Sequence, residues 1–139
     1  NETLDQMDFD QILQQFEVNA VAPLRVTHSL LPLMQEGGKI ANITSRMGSM
    51  ADNGSGKYYG YRASKAALNA FGKSLAMDLR KRGISVAQLH PGFVQTRMVN
   101  FAGDITPAEA AAGLVARIDE LNINNSGSFW HSNGQSLPW

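Results

Sequence analysis

The sequence contains no cysteine. Disulfides, thiolate nucleophiles and cysteine-based metal sites are therefore excluded, and the absence fits a reducing compartment. Neither sign of charge is in excess: 12 Lys and Arg balance 12 Asp and Glu. No global field draws the chain toward nucleic acid, an anionic membrane or an acidic substrate. The one dense basic run, Arg80-Lys81-Arg82, falls in the last turn of an expected helix, where cations complement the helix dipole. Histidine is scarce and scattered. His28, His90 and His131 form no close-spaced ligand pair, so no metal site is expected. No apolar run approaches the length of a membrane span, and the N-terminal residues carry no signal-peptide pattern. Together these absences point to a cytoplasmic protein with no nucleic-acid and no membrane partner.

What is present is a regular alternation of elements. At 139 residues the chain is long enough for one domain with a core of its own. Asp8 is a plausible N-cap with Gln11 three residues on, and Ile12, Phe16, Ala20 and Leu24 recur at helical spacing. That helix continues to Met34, contains Pro23, and stops at Gly37-Gly38. "KIANIT", Lys39 to Thr44, reads as a short buried strand, followed by a polar, glycine-containing loop. A second long helix is expected from Tyr58 to Arg82, with an apolar stripe of Leu68, Phe71, Leu75 and Leu79. Its Ala63, Ala66, Ala67 and Ala70 form a small-residue face that permits close helix approach, and Gly83 suits the C′ position. "ISVAQLH", Ile84 to His90, is a second buried strand stopped by Pro91-Gly92. Thr106, Pro107 and Glu109 supply the cap, N1 and N3 of a third helix. "GSFWHSNG" gives a last short strand. Strands alternating with long helices predict a parallel sheet with helices on its faces. Its first strand would have one free edge, and a bare edge inside an α/β layer is a liability.

Four local features could carry chemistry. Tyr61 and Lys65 are four residues apart on a helix, which places both on one face. A neighbouring ammonium favours phenolate and would bring a phenol with a reference pKa of about 10 into acid–base range. Alone the spacing is weak, since Tyr-x-x-x-Lys arises often by chance. Ser45 follows the first strand, where ligands of parallel sheets bind, and its hydroxyl could polarise a substrate carbonyl; on position alone a turn serine is the simpler reading. Pro23 has no N–H, so the carbonyl of Asn19 would lose its helical partner and the helix should kink. That carbonyl could hold a water in a cleft or face bulk solvent. The turn after the second strand, "HPGFVQT", could present backbone groups near Val94 and the Thr96 hydroxyl to a polar ligand.

In order, "FEVNAVAP", "KIANITS", "YRASKAAL", "SVAQLHPGFVQT" and "GSFWHSNG" resemble the short-chain dehydrogenase/reductase family across almost the whole chain. The segment from Ser45 to Asn69 is most similar to its C-factor-like and carbonyl-reductase-like branch. The resemblance implies a Rossmann-like doubly wound α/β fold, a cofactor that is NAD or NADP, and a small carbonyl or alcohol substrate. It implies that Tyr61 is the acid/base and that Lys65 assists it and holds the nicotinamide ribose. By the same resemblance Ser45 polarises the carbonyl, with Ser49 the weaker alternative because the loop up to Tyr61 is longer than usual. Asn19 would hold a relay water, and Pro91, Gly92, Val94 and Thr96 would line the nicotinamide. It further implies a homodimer or homotetramer built through the two long helices. The family's opening strand, glycine-rich turn and helix have no counterpart here, since "GSGK" lacks the G-x-G-x-x-G spacing and follows the wrong strand. Residues 1–139 are therefore expected to be the C-terminal catalytic half of such a domain, with cofactor preference unreadable. The alternative is a non-catalytic fragment, or a signalling or interaction protein of the same fold. Met98, Val99 and Phe101, after Thr96, suggest either an apolar substrate wall or helix packing.

Overall fold

Three strands, β1 (Lys39–Ile43), β2 (Ser85–His90) and β3 (Ser128–His131), lie parallel in the order β1-β2-β3 in the computed structural model, which describes residues 2–139. Asn42 is in register with Gln88, and His90 with His131. The expected α/β architecture is borne out. Helices α1 (Phe9–Phe16), α2 (Ala22–Leu30), α3 (Tyr59–Leu79) and α4 (Pro107–Glu120) supply the layers around the sheet.

All six residues of β2 are buried, as a central parallel strand requires. Val86 packs with Ala76, Leu79 and Ile84 on one side, while Ala87 and Leu89 pack with Leu121 on the other. Each fully buried Val or Leu side chain contributes about 1.5–3 kcal/mol. β1 departs from the buried strand expected from its sequence: Lys39 is exposed and Ile43 is 46% exposed. The reason is position. β1 pairs with β2 on one side only and its other edge is open, so its apolar residues have half a neighbourhood.

The helix before β1 does not break at Pro23. It runs through α1, a π-helical turn at Glu17–Val21, α2, and a 3₁₀ turn at Leu31–Leu33. In the π turn the N–H of Ala22 reaches the carbonyl of Glu17. This widened turn takes up the proline, which then sits in the first turn of α2, where a missing N–H is tolerated. The proline's missing hydrogen bond is thus taken up in a π bulge, and the bulge contains Asn19.

Helix α3 begins one residue later than its pattern suggested, because Tyr58 is left-handed (φ 54°). It passes into a 3₁₀ turn at Arg80–Arg82 and ends on left-handed Gly83. Its buried face is Ser64, Leu68, Gly72, Ala76 and Leu79, so the expected apolar stripe is only half right; Phe71 and Leu75 are half-buried. Ala63 and Ala70 are exposed, and the close approach is made by glycines instead. A Cβ on Gly60 would meet Ile12 of α1, and one on Gly48 would lie 2.7 Å from the backbone of Lys65. Thr106 and Glu109 form the capping box of α4 that the sequence implied.

Candidate active site

The polypeptide reaches the carboxyl ends of β1 and β2 and turns sharply at both. Between these turns, the first half of α3 and the side of α1 lies a cleft of about 1410 Å³. Asn19, Ser45, Tyr61, Lys65, Pro91, Gly92, Val94 and Thr96 all line it. Residues separated by up to 77 positions in the sequence (19 to 96) are thereby gathered around one space.

Ser45 leaves β1 in extended conformation and caps the 3₁₀ turn Arg46–Gly48, its buried Oγ accepting the N–H of Met47 at 3.1 Å. A hydroxyl that accepts in this way keeps its own proton to donate. The turn role and the capacity to polarise an oxygen therefore coexist. Ser49 is 2% exposed, accepts the N–H of Asp52 at 3.1 Å, and is not part of the cleft wall.

Tyr61 and Lys65 face the cleft from consecutive turns of α3, with the Lys65 Nζ 5.8 Å from the Tyr61 ring centre. The ammonium donates to the carbonyl of Ile43 at 3.2 Å, tying α3 to the end of β1. Burial pushes the Lys65 amine below the usual lysine range, since its charged form loses hydration. Asn19 approaches from the π bulge. Its Nδ2 donates to Ser64 Oγ at 3.1 Å, and Ser64 in turn donates to the carbonyl of Tyr61 at 2.8 Å.

The loop after β2 is shaped by Gly92, which is left-handed (φ 98°); a Cβ there would lie 2.8 Å from Ile105 Cδ1. Val94 bridges Ile105 in parallel fashion. The bonds of that bridge run from Ile105 N–H to Phe93 and from Gln95 N–H to Ile105, so the N–H and C=O of Val94 are not spent on it. A backbone amide left over at the wall of a cleft suits a planar carboxamide ligand. The residues present thus fit the nicotinamide end of a dinucleotide. Met98 and Val99 line the cleft, while Phe101 is exposed outside it.

His90 was not singled out by sequence reasoning, yet it closes β2 at the cleft floor. It is buried, stacks edge-to-face on His131 at 4.9 Å, and its Nδ1 has no hydrogen-bond partner. Burial, with His131 and Arg46 nearby, lowers its pKa to about 4. Its place directly before Pro-Gly at a strand end was the available signal. Among the described residues no group of acidic or histidine side chains could hold a metal, and no helix is long and apolar enough to cross a membrane.

A parallel sheet with a Tyr–Lys helix face and a glycine turn at its carboxyl edge defines a Rossmann-like α/β protein. A family profile described as short chain dehydrogenase matches residues 1–107. The chain is 47% identical over 137 residues to 1-hydroxy-2-glutathionyl-2-methyl-3-butene dehydrogenase of Rhodococcus sp. (strain AD45), covering 96% of this chain and 61% of that protein. It is 41% identical over 138 residues to C-signal of Myxococcus xanthus, covering 98% of this chain and 83% of that one. The crystal structure of an NADPH-bound carbonyl reductase from chicken fatty liver superposes with a TM-score of 0.91 at 29% identity, over 99% of this chain and 61% of the other. The chain belongs to the short-chain dehydrogenase family.

Proposed function

We propose that the complete protein is an NAD(P)-dependent oxidoreductase acting on a small carbonyl or alcohol, and that residues 1–139 are the catalytic half of its Rossmann domain. One observation carries the reading: Tyr61 and Lys65, on one helix face, line the same cleft as the hydroxyl-bearing turn at Ser45 and the π bulge of Asn19. The family and the named dehydrogenase and reductase relatives support it.

Lys65 and Tyr61 would hold the ribose of the cofactor, and Pro91, Gly92, Val94 and Thr96 its nicotinamide ring. When bound, the cofactor supplies or accepts the hydride. In the reducing direction, Ser45 donates a hydrogen bond to the carbonyl oxygen as charge develops there. Tyr61 gives that oxygen its proton. The Lys65 ammonium stabilises the phenolate left behind, and Asn19 anchors the relay that returns the proton. Met98 and Val99 give the site an apolar rim suited to a substrate with a hydrophobic body.

The protein so described is cytoplasmic, and assembles as a homodimer or homotetramer through its two long helical stretches, Asp8–Met34 and Tyr58–Arg82. Phe9 and Leu13, exposed on α1, support that surface. They equally support a second reading, in which the chain acts through contacts rather than catalysis. Cofactor fluorescence separates the two: NADH or NADPH emission should rise and shift on mixing with the complete protein. A silent titration with both cofactors would favour the second reading.

A further inference from the structure

Arg62 follows Tyr61 directly, and no carboxylate lies within ion-pair distance of it among the described residues. Asp52, the nearby acid, is held by Arg46 at 2.8 Å. Every nitrogen of the Arg62 guanidinium goes instead to a neutral acceptor in the loop between Ser45 and α3. Nε donates to Gly56 O at 3.2 Å, Nη2 to Ser55 Oγ at 2.9 Å, and Nη1 to Met47 O at 3.4 Å.

These three points grip both ends of the loop. Met47 lies in the turn that Ser45 caps, and its N–H is the donor to Ser45 Oγ. Gly48, next in line, sits against the Lys65 backbone with no room for a side chain. At the far end Gly56, Lys57 and Tyr58 are all left-handed, with φ of 66°, 57° and 54°. Two of these are not glycine, a conformation that persists only where the surroundings hold it. The holding bonds are donated by the N–H of Gly56 to Asn53 Oδ1, by the N–H of Tyr58 to Glu2 O, and by Arg62 Nε to Gly56 O. Planar and many-donored, a guanidinium suits such a multi-point grip in a way that an ammonium does not.

The geometry points to Arg62 as a positioning residue: by clamping the Met47–Gly56 loop onto α3, it fixes the Ser45 hydroxyl relative to Tyr61. This inference rests on the oxidoreductase reading for its kinetic consequence, though not for the clamp itself. A short path carries the effect: Ser45 Oγ to Met47 N–H, Met47 O to Arg62, and Arg62 to its neighbour Tyr61 on the helix. The reaction needs both hydroxyls on one substrate oxygen, so loosening this path should lower turnover without weakening cofactor binding.

The test uses the complete native polypeptide with Arg62→Met and Arg62→Lys, assayed with NADPH and NADH against isatin as carbonyl probe, beside amide hydrogen exchange. Arg62→Met should lower kcat by about tenfold or more with the cofactor KM within about twofold, and Arg62→Lys should recover part of the loss. Exchange at Met47 and Gly48 should quicken by about tenfold while Leu68–Leu79 stays protected. A kcat within twofold of wild type, or a lower kcat with unchanged exchange, overturns the positioning role. Should the wild type prove inert toward isatin, the oxidoreductase reading loses support and the exchange data alone decide: faster exchange upholds the clamp, and unchanged exchange overturns it. If Arg62→Met does not fold, Ser55→Ala removes one acceptor without touching α3. It must then quicken exchange at Gly56–Tyr58 for the clamp to stand.

Discussion

Gly72 of α3 lies directly over the side chain of Gln88 on β2, so close that a Cβ at position 72 would fall 1.8 Å from Gln88 Oε1. Gln88 is fully buried and accepts from Asn42 Nδ2 at 2.8 Å. Helix and sheet thus meet through a missing side chain on one and a buried amide on the other. Alanine normally favours a helix over glycine by about 0.5–1 kcal/mol. Here the overpacking outweighs that preference, and Gly72→Ala should destabilise by about 1–3 kcal/mol. Urea denaturation of Gly72→Ala, Gln88→Ala and the double variant checks this. The two changes should be less harmful together than their sum by about 1 kcal/mol or more; strict additivity would mean that the contact is relieved elsewhere.

Tyr61→Phe removes a single oxygen at the cleft wall. If that oxygen is the proton donor, carbonyl reduction should fall by about 10³-fold or more, within the reach of combined acid–base and electrostatic effects. Circular dichroism should be near wild type, because Tyr61 is only half-buried and its ring remains. Cofactor fluorescence should still rise on mixing, at a weaker affinity, because Lys65 is left to hold the ribose. Full turnover by the variant would remove Tyr61 from the mechanism.

The two serines after β1 make a sharper comparison. Ser45 opens onto the cleft and Ser49 does not, though both hydroxyls accept a backbone N–H. Ser45→Ala should cost about 10²-fold in kcat, as loss of a single oxyanion donor does. Ser49→Ala should instead show as a stability loss of about 1 kcal/mol with kcat retained. Steady-state kinetics and thermal melts on the pair separate these outcomes, and a kcat collapse confined to Ser49→Ala would reverse the assignment.

Much of this arrangement was legible in the sequence because local signals agreed. Thr106-Pro107-Glu109 announced a capped helix, and Gly83 its predecessor's end. The spacing of Tyr61 and Lys65 put them on one face. Other features escaped because they depend on neighbours distant in the chain. Nothing local distinguishes Ile43 on an open edge from Leu89 on a central strand. The π bulge at Glu17–Val21 accommodates Pro23 in a way that the proline alone does not announce. Gly72 reads as a helix defect until Gln88, 16 residues later in the chain, is placed beneath it. His90 looked like one more strand residue, since its isolation comes from burial and from the facing His131.

That isolation gives His90 a pH signature. Its pKa is about 4 in the folded protein, by burial first and then by His131 and Arg46, with Asp52 opposing. An exposed histidine in the unfolded chain titrates near 6.5. Between these values the unfolded chain binds the proton and the folded one does not, so acidification favours unfolding. Stability should be intact above about pH 6.5, fall as the pH drops toward 4, and gain no further slope from this group below that. His131 is shifted the same way by burial and Arg46, and adds to the slope. His90→Gln should flatten the pH dependence of the urea midpoint in this window. An unchanged slope would assign the effect to His131.

Phe9 and Leu13 of α1 stand four residues apart, on one face, and are 68% and 66% exposed. Phe16, three residues further on, continues the stripe and is 38% exposed. An amphipathic helix with its apolar stripe outward lacks a partner for that stripe. Polar residues at and beside α1 have partners of their own: Asp8 caps its N-terminus, Gln15 binds Glu2, and Glu17, just past its end, pairs with Arg25. Burying the stripe against a second copy would recover about 25 cal/mol per Å² of apolar surface. In the complete protein Leu13→Glu should therefore shift the mass seen by light scattering from dimer or tetramer toward monomer, with the far-UV spectrum unchanged. Leu13 is exposed in the isolated chain, so a folding defect in this variant is not expected. If wild type and variant have the same mass, and that mass is the monomer's, the long helices do not build the assembly and the apolar stripe must be covered from within the same polypeptide.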